Sequence, residues 1–581
     1  MDADRDDLAC CSAILPVAVM KKKRNKKAIP AIEGASVPDT SGRAPLIALL
    51  VAAPATITGL VVYYLLASKR AAGEFGFPLD DSWIHVRFAQ RLFSAHGFSF
   101  NPGELTSTTT SALWTVLLAL AHAETHEFLF TSIVVNGLLA VMLCVVVYEL
   151  ALTIVPSKWA ALSAGLLVAA TAPLPWWVLS GMEPPLYAVL ALLGMLLHVR
   201  SRAPGARAGA LLWAAIVFAL AGLARPECLL LFPLAAMDRL VMAIWIEKQE
   251  RGLARWASEM AKQVPAFAVV ACLPFIYNHV VTGLWLPSSF YSKQQWTSIA
   301  GALATGQMQN LVQALVSGPW QQLWSLISTW AHDNAAMVAP FFVGLYWLTR
   351  QVLVRESKHR SLIIPMALVV QPFLWAWLSG YRPADFQSQR YLAALNPLYL
   401  LMGVMGGWWL LSGAKARGMM WARIGLVGVA LAASLAVQPK SAATYALNVK
   451  NITEMQVTIA RWLRDNAPKG SLLAVNDVGA IGAITDDPVL DLQGLVTTQV
   501  LPLRSMKERA AGRAPMLLSQ FIFDRRPDYL VIFPSWYPEL DQRRDLFAPV
   551  YWVQLRDNIT SGSETMVVYK SVWADRKDHA R

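Results

Sequence analysis

Charge is scarce in this chain. Asp, Glu, Lys and Arg make up 15% of its 581 residues, against roughly a quarter in soluble domains. With 56% hydrophobic residues and 23 Trp, that shortage excludes an ordinary soluble protein and indicates an integral-membrane one. Cysteine is scarce too: Cys10, Cys11, Cys144, Cys228 and Cys272 form no CxxC pair, and the last three sit in apolar runs. Neither a disulfide framework nor a structural zinc site is expected from that pattern. A complete GxGxxG fingerprint is missing, since Gly479-Ala480-Ile481-Gly482 lacks its spacing, so a nucleotide site is not expected there. Internal repeats and long low-complexity tracts are absent. The net charge of +12 gives no case for nucleic acid, because membrane proteins gather Lys and Arg in their cytoplasmic loops.

Long apolar runs are what the chain has instead. Residues 1–43 read as a basic cytoplasmic tail carrying Lys21-Lys22-Lys23-Arg24 and Lys26-Lys27. The apolar run Ala13–Met20 precedes those charges, the reverse of a secretory signal. Ala44–Ser68 is long enough to cross a hydrocarbon layer of about 30 Å. Further spans are expected at Phe128–Val155, Ala160–Val178, Leu186–Val199, Ala208–Ala224, Cys228–Ile246, Ala266–Val281, Ala335–Thr349, Leu362–Leu378, Tyr391–Leu411 and Ile424–Val437. That makes about eleven. Ser111–Ala121 is too short to span and reads as an interfacial helix in the first outer loop.

The positive-inside rule orders these segments. Lys158, the cluster Arg200, Arg202 and Arg207, and the group Lys248, Arg251, Arg255 and Lys262 fall on the cytoplasmic side. So do Arg350, Arg355, Lys358 and Arg360, and then Lys415, Arg417 and Arg423. Every loop with an unusual polar cluster falls on the opposite face. Residues 44–438 are thus expected to form the transmembrane domain and 439–581 an extracytoplasmic α/β domain. In the latter, Thr453-Glu454-Met455-Gln456 fits a capping box opening a helix through Asp465. Strands are expected at Leu472–Val475, Val489–Leu492, Tyr529–Phe533, Val553–Leu555 and Met566–Val572.

The chemistry converges on the outer face. Asp80-Asp81 follows the first span, and in a helix Asp81 shares a face with His85 and Asp80 with Arg87. Either carboxylate suits a general base, while a helix cap is the plainer reading. A divalent cation on Asp80, Asp81 and His85 is the minor alternative, and no cofactor is certain from the residues. Glu183 precedes Pro184-Pro185 at a helix start, Arg225-Pro226-Glu227 forms a tight turn, and Tyr291 and Lys293 lie in a long outer loop. Arg390, with Arg382 nearby, stands at the mouth of a later span. Taken one by one these read as caps, turns and interfacial anchors. Together, cations fit an anionic leaving group and a carboxylate fits a base.

This combination resembles the GT-C superfamily, multi-pass glycosyltransferases that take sugars from polyprenyl-phosphate carriers. The likeness is to the branch of bacterial arabinofuranosyl-, aminoarabinose and mannosyltransferases. It is carried by Asp80-Asp81, Arg87, Gly97-Phe98, Asn101-Pro102-Gly103-Glu104 and Ser111-Ala112-Leu113-Trp114 in the first outer loop. Ser180-Gly181-Met182-Glu183, Arg225-Pro226-Glu227, Ser289-Phe290-Tyr291-Ser292-Lys293 and Arg390-Tyr391 follow, then Asn476–Gly482 and Asp491–Leu495. The chain departs from the branch at Ala112, where proline is frequent, and at Ser288-Ser289, where Asn-Thr is common.

The resemblance implies a hexosyl- or pentosyltransferase of the plasma membrane with an extracytoplasmic site. Asp80 or Asp81 would be the base. Arg87, Arg225, Lys293 and Arg390 would bind the lipid phosphate, with Glu183, Glu227 and Tyr291 beside them. The acceptor would be a glycan, lipid or protein, helped into place by the C-terminal domain. Metal-dependent and metal-independent members exist, so the ion stays open. The competing class is a transporter or flippase of lipid-linked sugars, which would carry ionisable groups at mid-membrane. Asp238-Arg239 is the main such exception here.

Overall fold

The computed structural model describes residues 43–122, 127–202, 209–246, 250–354, 361–413 and 416–574. The basic tail and the loop residues Arg207, Lys248, Arg355, Lys358, Arg360 and Lys415 lie outside the described residues. Each of the eleven apolar segments is mainly helical where described, but Ala160–Val178 breaks at residues 171–173 between helices Lys158–Ala170 and Leu174–Leu179. Helices Ala44–Ala72 and Phe128–Ile154 are long and apolar enough to span by themselves, as are the helical stretches Pro226–Ile246, Met308–Leu353 and Gly418–Asn466. Shorter apolar helices lie among them at Lys158–Ala170, Pro184–Arg200, Ala210–Ala224 and Ile363–Ser379. The chain is a membrane protein.

Three expectations change. The span expected at Ala266–Val281 is a bent pair, Gly252–Ala271 and Leu273–Thr282, angled by 41°. Pro274, which has no N–H to continue the ladder, sits at the break. The stretch after Gly283, expected as a long loop, is largely helical, from Ser288–Ser292 to Gly318–Asn334, and shows Trp320 and Trp324 on its surface. No capping box opens at Thr453. Residue 453 lies inside a helical run that begins with Gln438–Ile452 and continues through a wide turn, Thr453–Val457, into Thr458–Asn466. Tyr445, Val449 and Ile452 bury one face of that run, so packing prolongs the helix through the local cap signal.

Charge inside the spans is matched. Asp238 accepts hydrogen bonds from Ser361 Oγ (2.8 Å) and the Leu362 N–H (2.6 Å) and lies 2.7 Å from His198 Nε2. Arg239 donates to Glu259 at 2.6 Å. Helices Val338–Leu353 and Leu395–Leu410 meet backbone to backbone. A Cβ on Gly406 would lie 1.9 Å from the Pro340 carbonyl oxygen, so only glycine permits the approach.

The C-terminal region carries five strands: β1 Leu473–Val475, β2 Val489–Asp491, β3 Tyr529–Ile532, β4 Phe547–Gln554 and β5 Thr565–Ser571; four lie where expected, while β4 starts six residues before the expected Val553–Leu555. They form one sheet in the order β2-β1-β3-β5-β4. β1 is parallel to β2 and to β3, and β5 is antiparallel to β3 and β4. Phe88 and Phe100 of the first outer loop enter the core of this sheet, beside Val475, Ile481 and Val531. The segment that follows the first helix and the C-terminal domain therefore share one hydrophobic core.

Candidate active site

Helix Asp80–Phe93 begins after extended Leu79, with both aspartates in its first turn, where negative charge is favoured. One peptide bond apart, the two carboxylates face different surroundings. Asp81 Oδ2 accepts from Lys293 Nζ at 3.0 Å and from an Arg390 guanidinium nitrogen at 2.9 Å. Burial pushes its carboxyl up, but Lys293 and Arg390 overcome that and hold it well below the usual carboxylate range. Asp80 instead accepts from the backbone N–H groups of Gly479 and Ala480, both at 2.8 Å. Burial, with the neighbouring charge of Asp477, pushes Asp80 up to about 8 despite those two bonds. The Gly479–Gly482 stretch thus caps onto a protein carboxylate.

Behind Asp81 lies a second layer. Glu183 is 1% exposed and paired with Arg225, which also binds Glu227 Oε1 at 2.9 Å. Glu183 Oε2 lies 3.7 Å from His85 Nε2, one helical turn along from Asp81. His85 Nδ1 is 3.0 Å from Thr115 Oγ1. Tyr391 offers its ring to Arg225 (4.6 Å) and Arg390 (4.8 Å), and its hydroxyl accepts from Arg390 at 2.9 Å. Opposite charges buried in contact stabilise one another to the extent that they are partnered; here Glu183 Oε2 and Arg390 Nε stay buried without a hydrogen-bond partner among the described residues.

Local folding delivers each group. Gly181 has φ 69°, and a Cβ there would lie 2.3 Å from the Phe77 ring, so the Glu183 turn requires glycine. Ser82 Oγ and Trp114 Nε1 donate to the carbonyls of Ser180 (2.6 Å) and Gly181 (3.0 Å) and fix that turn. Gln387, Ser388 and Gln389 carry φ of 48°, 55° and 62°, a left-handed turn of three non-glycine residues just before Arg390. Such residues cost about 1–3 kcal/mol each and persist only where packing over-determines them. Trp177 Nε1 donates to the Ser388 carbonyl (2.7 Å) and Tyr187 Oη to that of Arg390 (2.6 Å).

Lys293 ends helix Ser288–Ser292, and the C-terminal domain holds that helix. Ser292 Oγ donates to the Gln493 carbonyl (2.7 Å), and Ser288 Oγ to that of Leu495. The turn they grip is built by buried Asp491, which accepts from the N–H of Gln493 (2.7 Å) and of Val496 (2.8 Å). Burial raises Asp491 to about 6.

Asp81, Lys293 and Arg390 thus form one ion cluster and Glu183, Arg225 and Glu227 another, with the Tyr391 ring beside both Arg225 and Arg390. Arg87 joins neither. Its buried guanidinium donates to the Phe100 carbonyl (3.0 Å) and pairs with Asp486, tying the first outer loop to the C-terminal domain. Tyr291 packs edge-on against Phe290, 5.6 Å away. A cation held by Asp80, Asp81 and His85 does not fit this arrangement, because Asp80 and Asp81 Oδ2 already face N–H donors and His85 faces Thr115 and Glu183. Among the described residues, no group of three or more His, Cys, Asp or Glu is arranged to hold a metal ion. The sequence did not single out Tyr187, since an isolated Tyr carries no spacing signal, and it marked Asp477 only as part of the Asn476–Gly482 stretch, without a role.

Comparison with known proteins agrees with this architecture. The C-terminal region, residues 450–569, matches a family described as a domain of unknown function, DUF8728. No curated protein matches the sequence. ArnT from Cupriavidus metallidurans, solved bound to undecaprenyl phosphate, superposes with a TM-score of 0.52 at 12% identity, covering 91% of this chain and 98% of ArnT. The apo oligosaccharyltransferase of Archaeoglobus fulgidus gives 0.55 at 12% identity, covering 87% and 74%. The same archaeal enzyme, AglB, solved with an inhibitory peptide and a dolichol-phosphate, gives 0.51 at 13%, covering 89% and 74%. The fold is that of the GT-C membrane glycosyltransferases.

Proposed function

We propose that this chain is an integral-membrane glycosyltransferase that moves a hexosyl or pentosyl unit from a polyprenyl-phosphate donor to a hydroxyl-bearing acceptor. The reaction would occur at the extracytoplasmic face, with Asp81 as the base. One observation carries this reading: an ionised carboxylate directly bonded to Lys293 and Arg390 at 3.0 and 2.9 Å, on a GT-C fold. The acceptor oxygen attacks the anomeric carbon while the bond from that carbon to the phosphate oxygen breaks. The bonding pair leaves with the lipid phosphate, and the hydroxyl proton passes to Asp81. Lys293 and Arg390 neutralise the departing phosphate, as preorganised cations do best.

The same cations explain how a strongly depressed carboxyl becomes a base. A bound phosphate competes for Lys293 and Arg390, and Asp81 gains proton affinity as it loses them. Glu183 keeps Arg225 and His85 in place behind the reacting groups. The acceptor (glycan, lipid or protein) approaches from the C-terminal domain.

The test is turnover by the purified protein of a panel of polyprenyl-phosphate sugars, with a membrane-extract acceptor. Released lipid phosphate that disappears in Asp81→Asn supports the reading. A well-folded wild type that turns over no donor but moves labelled lipid across liposomes would make the chain a flippase instead.

A further inference from the structure

The parallel part of the sheet has a topological switch. From central β1 the chain passes to β2 on one side, then crosses to β3 on the other. In open α/β sheets the crevice beyond the carboxyl ends of the strands, at such a switch, is where ligands bind. Here Asn476-Asp477 follows β1 and Phe533–Tyr537 follows β3. Asn476 Oδ1 accepts from the Phe533 N–H at 2.9 Å and so joins the two strand ends.

The side chains at that crevice are unlike the rest of the domain surface. Trp536 is 46% exposed, yet it is not loose. One side of its indole lies against Gly562, where a Cβ would come within 2.5 Å, and Phe533 abuts it at 5.0 Å. Gln456, fully buried, donates to Asp477 (2.8 Å) and also to Ser561 (3.0 Å), next to Gly562. The Gln456 amide and the Ser561-Gly562 turn therefore link a fixed, part-exposed aromatic ring to a part-buried carboxylate. That carboxylate interacts electrostatically with both Asp80 and Asp81.

We propose that this crevice is the acceptor subsite and that it takes a saccharide. A sugar ring presents an apolar face of C–H groups and an equatorial rim of hydroxyls. The exposed face of Trp536 fits the first by dispersion and burial of apolar area. Asp477 fits the second, because an ionised carboxylate accepts strong hydrogen bonds from hydroxyl groups. A sugar so held directs a hydroxyl toward Asp81 on the facing helix. The inference rests on the glycosyltransferase reading above and names the chemical class of its acceptor.

Binding of a disaccharide panel to the full-length protein in detergent would be read by saturation-transfer NMR, beside a matched panel of short peptides. At least one disaccharide should show saturation strongest on one ring face. Trp536→Ala should weaken that signal at least tenfold and Asp477→Asn severalfold. Trp552→Ala, on the exposed edge strand β4, should leave it unchanged. In turnover assays Trp536→Ala should raise the acceptor KM more than it lowers kcat, and Trp536→Tyr should recover part of the loss. Binding of peptides alone, saccharide signals indifferent to Trp536, or no saccharide signal would each overturn the proposal. Donor turnover without Trp536-dependent saccharide binding would sink the subsite and leave the function standing. The reverse pattern would sink the function and leave the subsite.

Discussion

Two halves of the site meet at the peptide bond between Asp80 and Asp81, and they handle carboxylates in opposite ways. On the transmembrane side each acid has a cation: Asp81 with Lys293 and Arg390, Glu183 and Glu227 with Arg225. On the C-terminal side three acids take their hydrogen bonds from neutral donors: Asp80 from two backbone N–H groups, Asp477 from Gln456 and Asn476, Asp491 from the N–H groups of its own turn. Burial is common to both halves, so the partners decide the outcome. Asp81 stays ionised, while Asp80 is raised to about 8 and Asp477 to about 6. In the proposed reaction the first half would receive the anionic leaving group and the second the hydroxyl-bearing acceptor. A single protein thus obtains two chemistries from one residue type.

The sharpest way to break this contrast is to exchange the roles of the two aspartates. Asp81→Asn should lower transfer by about 10²–10⁴-fold, the usual contribution of a positioned base. Asp80→Asn should keep transfer within about tenfold and instead cost roughly 1 kcal/mol of stability, as for a weakened helix cap. Rates and thermal midpoints of the two variants, measured side by side, test this. Equal losses of rate would remove the distinction.

Removing a cation from the transmembrane half comes next. Arg390→Ala should lower kcat by about 10²–10³-fold, the scale of one lost electrostatic stabiliser. The variant should also release Asp81, so its acid limb should move to higher pH than in the wild type. A pH–rate profile of both proteins checks this. An unmoved limb would mean that Arg390 does not hold the Asp81 carboxyl down.

The pH dependence of stability should separate the halves by sign. Asp80 is raised in the folded protein, so its stabilising share is complete below about pH 4 and is lost as pH rises through about 8. Asp81 is depressed, so its share is present above about pH 4 and is lost as pH falls below that. The gap in Tm between wild type and Asp80→Asn should therefore shrink from pH 5 to pH 9. The gap for Asp81→Asn should persist there and close in acid. Parallel curves for the two variants would contradict the assigned environments.

The smallest effect concerns the join. Ser292→Ala removes the bond to the Gln493 carbonyl and loosens Lys293, which should reduce kcat about two- to tenfold, from a hydrogen bond of about 0.5–1.5 kcal/mol. Ser292→Thr should restore most of it. Unchanged kinetics in Ser292→Ala would show that the C-terminal domain does not set the position of Lys293.

Apolar periodicity and length were enough to read most of the apolar helices, though not those between Ser288 and Asn334, and runs of β-branched and aromatic residues marked four of the five strands, with β4 caught only at its end. Both signals are local, and the membrane enforces the first by leaving no other way to satisfy backbone groups. The i,i+4 relation that puts Asp81 over His85 was equally legible, because helix geometry alone fixes it. The misread capping box at Thr453 shows the limit of local signals: a packed helix ran through it.

What only tertiary structure decided is which partner each polar group found. Asp80 and Asp81 are adjacent in sequence, but their nearest donors come from residues 479–480 in one case and from Lys293 and Arg390 in the other. Arg87 matched a phosphate-binding pattern, yet its partner Asp486 lies 399 residues away. Left-handed Gln387–Gln389, which presents Arg390, carries no glycine to announce it. Sequence specifies the scaffold because backbone hydrogen bonding and burial act over a few residues. Charge pairing acts through space, and so the division of labour between two neighbouring aspartates exists only in the folded protein.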